Sequence, residues 1–219
     1  MIDIDLVKVI EKKTALIFDF DGVLVDSVDI KGEGFAALYS DYGSDVQAKV
    51  VNYHKVNGGM PRREKIRKCH ELYLKEQVSE SELDQLCNRF SDLVINRVIS
   101  APEIRGALEF LKKYTQVAQA FICSATPQKE LETIIDQKGW KHFFKRVSGS
   151  PLSKTENILS ILQDFEIGEG CAIYFGDATS DLNAAMKCNI DFIGVNGSWT
   201  EHEQHTCFLG SVENFVQWI

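Results

Sequence analysis

Short apolar runs alternate with longer stretches in which apolar residues recur every third or fourth position, and this alternation dominates the chain from about residue 100 onward. Residues 117–123, 171–176 and 191–195 read as buried strands, and residues 14–19, built on Ala15-Leu16-Ile17-Phe18, supply one more near the N-terminus. Between them, residues 102–114, 127–138, 153–165 and 178–188 carry apolar positions at helical spacing. Pro102 and Pro127 stand where a first helical turn accepts proline. Strands alternating with helices predict an α/β fold: a Rossmann-like, doubly wound parallel sheet with helices on both faces.

The stretch from about Val28 to Val98 breaks this rhythm, because it holds no convincing strand. Residues 61–76 place Ile66, Cys69, Tyr73 and Leu74 on one helical face behind an Asn57-Gly58-Gly59 turn. Ser79 and Glu82 form a capping-box pattern ahead of Leu83, Leu86, Phe90 and Val94. The expected organisation is a discontinuous core, residues 1–27 and 97–219, with a helical-bundle cap domain inserted over residues 28–96. Gly32 and Gly34 are candidate hinge positions at one connection, and Ile99-Ser100-Ala101-Pro102 marks the other.

Composition narrows the classes of function. The chain is 44% hydrophobic and 26% charged over 219 residues, which suffices for a sizeable buried core. Its net charge of −8 argues against a nucleic-acid partner, which would call for excess Lys and Arg. No window reads as a membrane span or a cleavable leader, so a cytoplasmic protein, monomer or homodimer, is expected. The six cysteines include no Cys-x-x-Cys pair and read as reduced thiols, with Cys123 a packing residue. None of the five histidines has ligand spacing, and His202 and His205 are expected to face solvent.

The chemistry gathers where strands end. Asp19-Phe20-Asp21-Gly22 puts two carboxylates at positions i and i+2 of an extended segment, where both can face one centre. An Asp-x-Asp here can serve simply as turn chemistry; equally, like charges so close invite a cation between them. After the second strand comes Ser124-Ala125-Thr126-Pro127, after the third Gly176-Asp177-Ala178-Thr179-Ser180-Asp181, and Ser153-Lys154-Thr155 opens the helix between. In a doubly wound sheet these segments share one edge, where ligands bind. Taken singly, Ser124 reads as a helix cap, Lys154 as a solvated lysine and Asp181 as an acid stabilising a helix N-terminus.

In this order the segments resemble the four motifs of the haloacid dehalogenase superfamily, in the helical-cap branch that includes phosphoglycolate phosphatases and β-phosphoglucomutases. The resemblance covers nearly the whole chain. It implies that Asp19 is a nucleophile forming an aspartyl-phosphate, and that Asp21 is the general acid and then the base, with an apparent pKa nearer neutrality. Ser124 and the amides beside it, Ala125 included, would hold phosphoryl oxygens at a helix N-terminus. Lys154 would neutralise the transferring group. Asp19, the Asp21 main-chain carbonyl and Asp177 would hold Mg²⁺, with Asp181 supporting that site directly or through water.

The resemblance also frames the reaction. Dehalogenases of the superfamily lack a carboxylate at the position of Asp21, so its presence favours phosphoryl transfer to and from oxygen. Lys31 holds the place of the cap-hinge histidine of β-phosphoglucomutases. Gly58-Gly59-Met60-Pro61-Arg62-Arg63-Glu64-Lys65 resembles the cap specificity segment, which makes Arg62 the candidate for the far part of a substrate, unless it belongs to a solvated helix face. The expectation is a Mg²⁺-dependent phosphatase acting on a small phosphorylated metabolite, with a phosphomutase as the alternative and a non-catalytic binding protein as a remote one.

Overall fold

The computed structural model describes residues 6–196, 199 and 205–219; the expectation for His202 lies outside them. Its centre is a six-stranded sheet, every neighbouring pair parallel, in the order β3-β2-β1-β4-β5-β6. The strands are β1 Ala15–Phe18, β2 Gln119–Pro127, β3 Phe144–Ser150, β4 Ala172–Gly176, β5 Asp191–Val195 and β6 Phe208–Val212. The helices are α1 Leu6–Ile10, α2 Val28–Leu38, α3 Ser44–Val56, α4 Arg62–Cys69, α5 Glu80–Ser100, α6 Ala107–Tyr114, α7 Gln128–Gln137, α8 Lys154–Asp164 and α9 Thr179–Cys188.

The continuous apolar runs follow from burial on both faces of the sheet. Leu16 and Phe18 of β1 enter one core with Ile173, Phe175, Phe110 of α6 and Ile134 of α7. Ala15 and Ile17 enter the other with Tyr174, Ile158 of α8 and Leu182 of α9. Phe18 stacks on Phe175 with ring centroids 4.9 Å apart. None of the described helices is long and apolar enough to cross a membrane.

Two strands that the apolar pattern does not announce close the sheet. β3 (FKRVSGS) and β6 (FLGSV) lie at its edges, only partly buried, so polar residues stand in them without cost. The expected helix over 102–114 begins only at Ala107, after Gly106 at φ +81°. Pro102 is not in a first turn: its carbonyl accepts the Asp26 N–H, and Leu24 accepts from Ile104, so this segment braces the loop after β1.

Only helical elements occur from Val28 to Ser100, between β1 and β2. The expected helix over 61–76 is α4 followed by a wider π turn over His70–Leu74. The Ser79–Glu82 capping box starts α5. Gly32 and Gly34 both lie inside α2 rather than at a hinge. A Cβ on Gly34 would stand 2.4 Å from Val94 Cγ1, so this glycine lets α2 and α5 pack closely.

Candidate active site

The strand order reverses between β1 and β4, and the carboxyl ends of those two strands carry Asp19 and Asp177. Such a switch point opens the crevice in which doubly wound sheets bind ligands. Gly22 turns the chain beyond Asp21 with φ +79°, and a Cβ there would stand 2.1 Å from Asp177 Oδ2. Only glycine lets the β1 loop approach the second carboxylate so closely.

Ligand oxygens of Asp19, Asp177 and Asp181 lie within 4.8 Å of one another. Lys154 joins two of them, donating to Asp19 Oδ2 at 2.6 Å and to Asp181 Oδ1. Asp19 Oδ1 accepts the Phe20 N–H at 2.6 Å, which fixes the plane of the carboxylate. Burial, with Asp181 and Asp21 adding to it against Lys154, raises Asp19 to about 6. Burial and the charges of Asp19 and Asp181 push Asp177 well above the usual carboxylate range. Three acids crowded against their own repulsion are the donor set a hard divalent cation takes, since its charge reverses the sign of the cost.

Asp181 sits behind this cluster. It is completely buried, with Oδ1 accepting from Tyr174 Oη at 2.6 Å and from Lys154, and Oδ2 from the Ala178 N–H at 3.1 Å. Both oxygens are thus engaged by the protein. Lys154 is no solvated lysine: it is 8% exposed, on the first turn of α8 behind the Ser153–Glu156 capping box.

Asp21 departs from the expected environment. Burial would raise it, but Lys31 beside it, with hydroxyl donors from Ser27 at 2.6 Å and Thr126 at 2.9 Å, outweighs burial and holds it below the ordinary carboxylate range. The pair is pushed apart in the opposite sense to the one expected, Asp19 up and Asp21 down. The cause is Lys31 on α2, which also reaches Thr126 Oγ1 at 2.6 Å. Neither Thr126 nor Ser27 carries a signal of its own in the sequence, although Thr126 lies in the segment that follows the second strand.

Ser124 is not at a helix N-terminus. Strand β2 runs on to Pro127, pairing with Ser150, and its register slips between Cys123 and Pro127. That irregularity turns Ser124, Ala125 and Thr126 toward the cavity, as bulges next to binding sites do. Ser124 Oγ accepts the Thr126 N–H at 3.2 Å.

A cavity of about 250 Å³ joins these residues to the inserted helices. Its floor holds Asp19, Asp21, Asp177 and Ser124, and its roof includes Phe35, Lys65 and Phe90. The turn before α4 comes down onto the floor: a Cβ on Gly59 would stand 1.7 Å from Ser180 Oγ and 3.4 Å from Lys154 Nζ. Arg62 lines the cavity, but its guanidinium is already taken. It donates to Glu130 of α7 at 2.8 and 2.6 Å and to Ser91, and lies 4.4 Å from the Phe90 centroid. Glu130 had no signal in the sequence beyond its place in the first turn of a helix.

His54 of α3 is 6% exposed, and its Nδ1 faces Lys65 Nζ at 2.9 Å. Burial, then Lys65 and Lys31, lowers its pKa from 6.5 to about 3. An unfolded chain takes up this proton below about 6.5 and the folded chain refuses it until about 3, so stability is full above 6.5 and is lost as pH falls toward 3. The slope is about 1 kcal/mol per pH unit for this ring alone. Denaturant titrations between pH 7 and 5 will show a shallower loss for His54→Phe than for the parent.

Comparison with known proteins identifies the family. The sequence profile of haloacid dehalogenase-like hydrolases matches residues 16–195, and the chain belongs to that family. It is therefore an enzyme of hydrolase type. It is similar to a phosphoglycolate phosphatase from Psychrobacter arcticus, 24% identical with 84% of each chain covered. A phosphorylated carbohydrates phosphatase from Thermotoga maritima is 27% identical, over 82% of this chain and 83% of that protein. In fold the chain resembles the crystal structure of a β-phosphoglucomutase from Clostridium difficile, with a TM-score of 0.77, 18% identity and 94% and 93% of the two chains covered.

Proposed function

We propose that the protein is a Mg²⁺-dependent phosphatase that hydrolyses a small phosphorylated metabolite through a phosphoryl group carried on Asp19. The observation that carries this reading is the Asp19 carboxylate, bonded to Lys154 and part of an acidic cluster, at the floor of a cavity. The naming of both curated relatives as phosphatases supports it. The carboxylates of Asp19 and Asp177, with the Asp21 main-chain carbonyl, would hold the Mg²⁺, which neutralises charge on the phosphoryl oxygens.

Asp19 attacks phosphorus, the bond to the leaving oxygen breaks, and Asp21 is placed to give that oxygen its proton. Water then attacks the Asp19 phosphoryl group while Asp21 takes a proton back, which restores both acids. In the free enzyme Lys31, Ser27 and Thr126 keep Asp21 ionised. The first proton therefore has to come in with the substrate, whose phosphomonoester monoanion can hand one to the Asp21 carboxylate; the water consumed in the second step supplies the proton for each following turnover. Lys154 balances the charge on Asp19 before attack and on the phosphoryl oxygens after it, and Ser124, Ala125 and Thr126 line the space beside Asp19 where those oxygens would lie.

Release of inorganic phosphate from p-nitrophenyl phosphate and from a panel of phosphorylated sugars and acids tests the reading. Chelation with EDTA is expected to abolish release and added Mg²⁺ to restore it. Turnover that survives exhaustive chelation removes the metal from the mechanism. Isomerisation dependent on a bisphosphate primer, with little phosphate released, would replace hydrolysis by phosphomutase chemistry.

A further inference from the structure

The cations around the cavity are not equivalent. Lys31 is paired with Asp21, Lys154 with Asp19 and Asp181, and Arg62 with Glu130. Lys55 is exposed at the mouth. Lys65 differs from all of them. It is 2% exposed, it lines the same cavity as Asp19, and among the described residues no carboxylate lies within salt-bridge distance of it. Among the described residues its ammonium meets only the His54 Nδ1 at 2.9 Å and the Gly58 carbonyl at 3.5 Å, with the Phe35 ring centroid 5.5 Å away.

A buried ammonium without a counter-charge is among the costlier arrangements a fold can hold. Burial, with Lys31 and Lys154 near, pushes Lys65 down to about 7. A neutral imidazole and one long carbonyl contact do not offset that cost, whereas an entering anion would. Arg62, the residue the sequence offers for the far part of a substrate, cannot serve without giving up two bonds to Glu130.

We infer that Lys65, oriented by His54, is a second anion site, and that the substrate bears a negative group, a carboxylate or a second phosphoryl, beyond the phosphoryl that Asp19 attacks. This rests on the phosphatase reading and names the class of phosphomonoester it takes. Small phosphorylated acids and bisphosphates fit; phosphomonoesters of neutral alcohols and sugars leave the ammonium unsatisfied.

The test compares kcat/KM of the parent enzyme for 2-phosphoglycolate, fructose 1,6-bisphosphate and glucose 6-phosphate, with p-nitrophenyl phosphate as the reference. A charge-assisted contact predicts a preference of about 10- to 100-fold for one of the first two over glucose 6-phosphate, and which of them leads tells carboxylate from phosphoryl. In Lys65→Met that ratio is expected to collapse toward one, through a higher KM for the favoured substrate rather than a lower kcat. A parent enzyme with no preference overturns the inference whether or not the variant folds. So does Lys65→Met if it lowers kcat/KM equally for every substrate, because Lys65 would then serve the transferred phosphoryl. Cleavage of p-nitrophenyl phosphate without such a preference sinks this site and leaves the phosphatase reading standing; cleavage of no phosphomonoester sinks both.

Discussion

Asp19→Asn is expected to lower turnover of p-nitrophenyl phosphate at least about 10³-fold, equivalent to about 4 kcal/mol in the barrier, while the fold stays intact. An amide keeps the shape of the side chain, and its oxygen still accepts from Phe20 N–H or Lys154 Nζ. It cannot supply the anionic oxygen that attacks phosphorus. The stability side of the prediction has the opposite sign. Asp19 is raised to about 6 chiefly by burial, so at neutral pH its charge is held against a penalty and adds to the repulsion on Asp177. Removing that charge relieves both costs, while Lys154 keeps Asp181 as partner. Thermal unfolding within a few degrees of the parent, or slightly above it, is therefore expected beside the lost activity. A variant that hydrolyses at the parent rate would remove Asp19 as nucleophile.

What the sequence conveys about this molecule follows from how local each signal is. β1 and β4 are legible because both faces of each are buried, which leaves an uninterrupted apolar run. The starts of α5 and α8 are legible because a capping box lies within four consecutive residues. Edge strands β3 and β6 are not, since a strand with one partner and partial exposure tolerates Lys, Arg, Ser and Gly. The same divide runs through the site. Asp19, Asp21 and Asp177 stand at the carboxyl ends of strands that the alternation already marks, and a doubly wound sheet gathers such ends along one edge, so their meeting could be anticipated. The protonation balance of Asp21 could not, because it is decided by Lys31 from α2 and Thr126 from the bulge of β2. The isolation of Lys65 is a property of everything that surrounds it, and no spacing along the chain encodes it.

Arg62 gives the second large effect. Glu130→Leu is expected to destabilise the protein by about 3 kcal/mol or more, because it leaves a guanidinium buried without its counter-charge. For a chain of this size that lowers the midpoint of thermal unfolding by roughly 6–12 °C. Ser91, the Cys87 carbonyl and the Phe90 ring remain near Arg62 and keep the loss toward the lower end. The double variant Arg62→Met with Glu130→Leu should regain most of it, since two apolar side chains replace a matched pair instead of orphaning one charge. Burial would raise Glu130, but Arg62 holds it below the usual range, so this contribution is present above about 4.5 and is lost as pH falls below it. A fall of less than 1 kcal/mol for Glu130→Leu would mean that the pair behaves as a surface ion pair. The pair spans α4 of the inserted helices and α7 of the sheet layer, and the segment leading into α4 carries Gly59 onto the active-site floor. Any opening of the cavity that separates these layers must break it. The single variant is therefore expected to raise KM as well as lower stability, and the double variant to restore stability without restoring the grip that a charged pair gives the closed cavity.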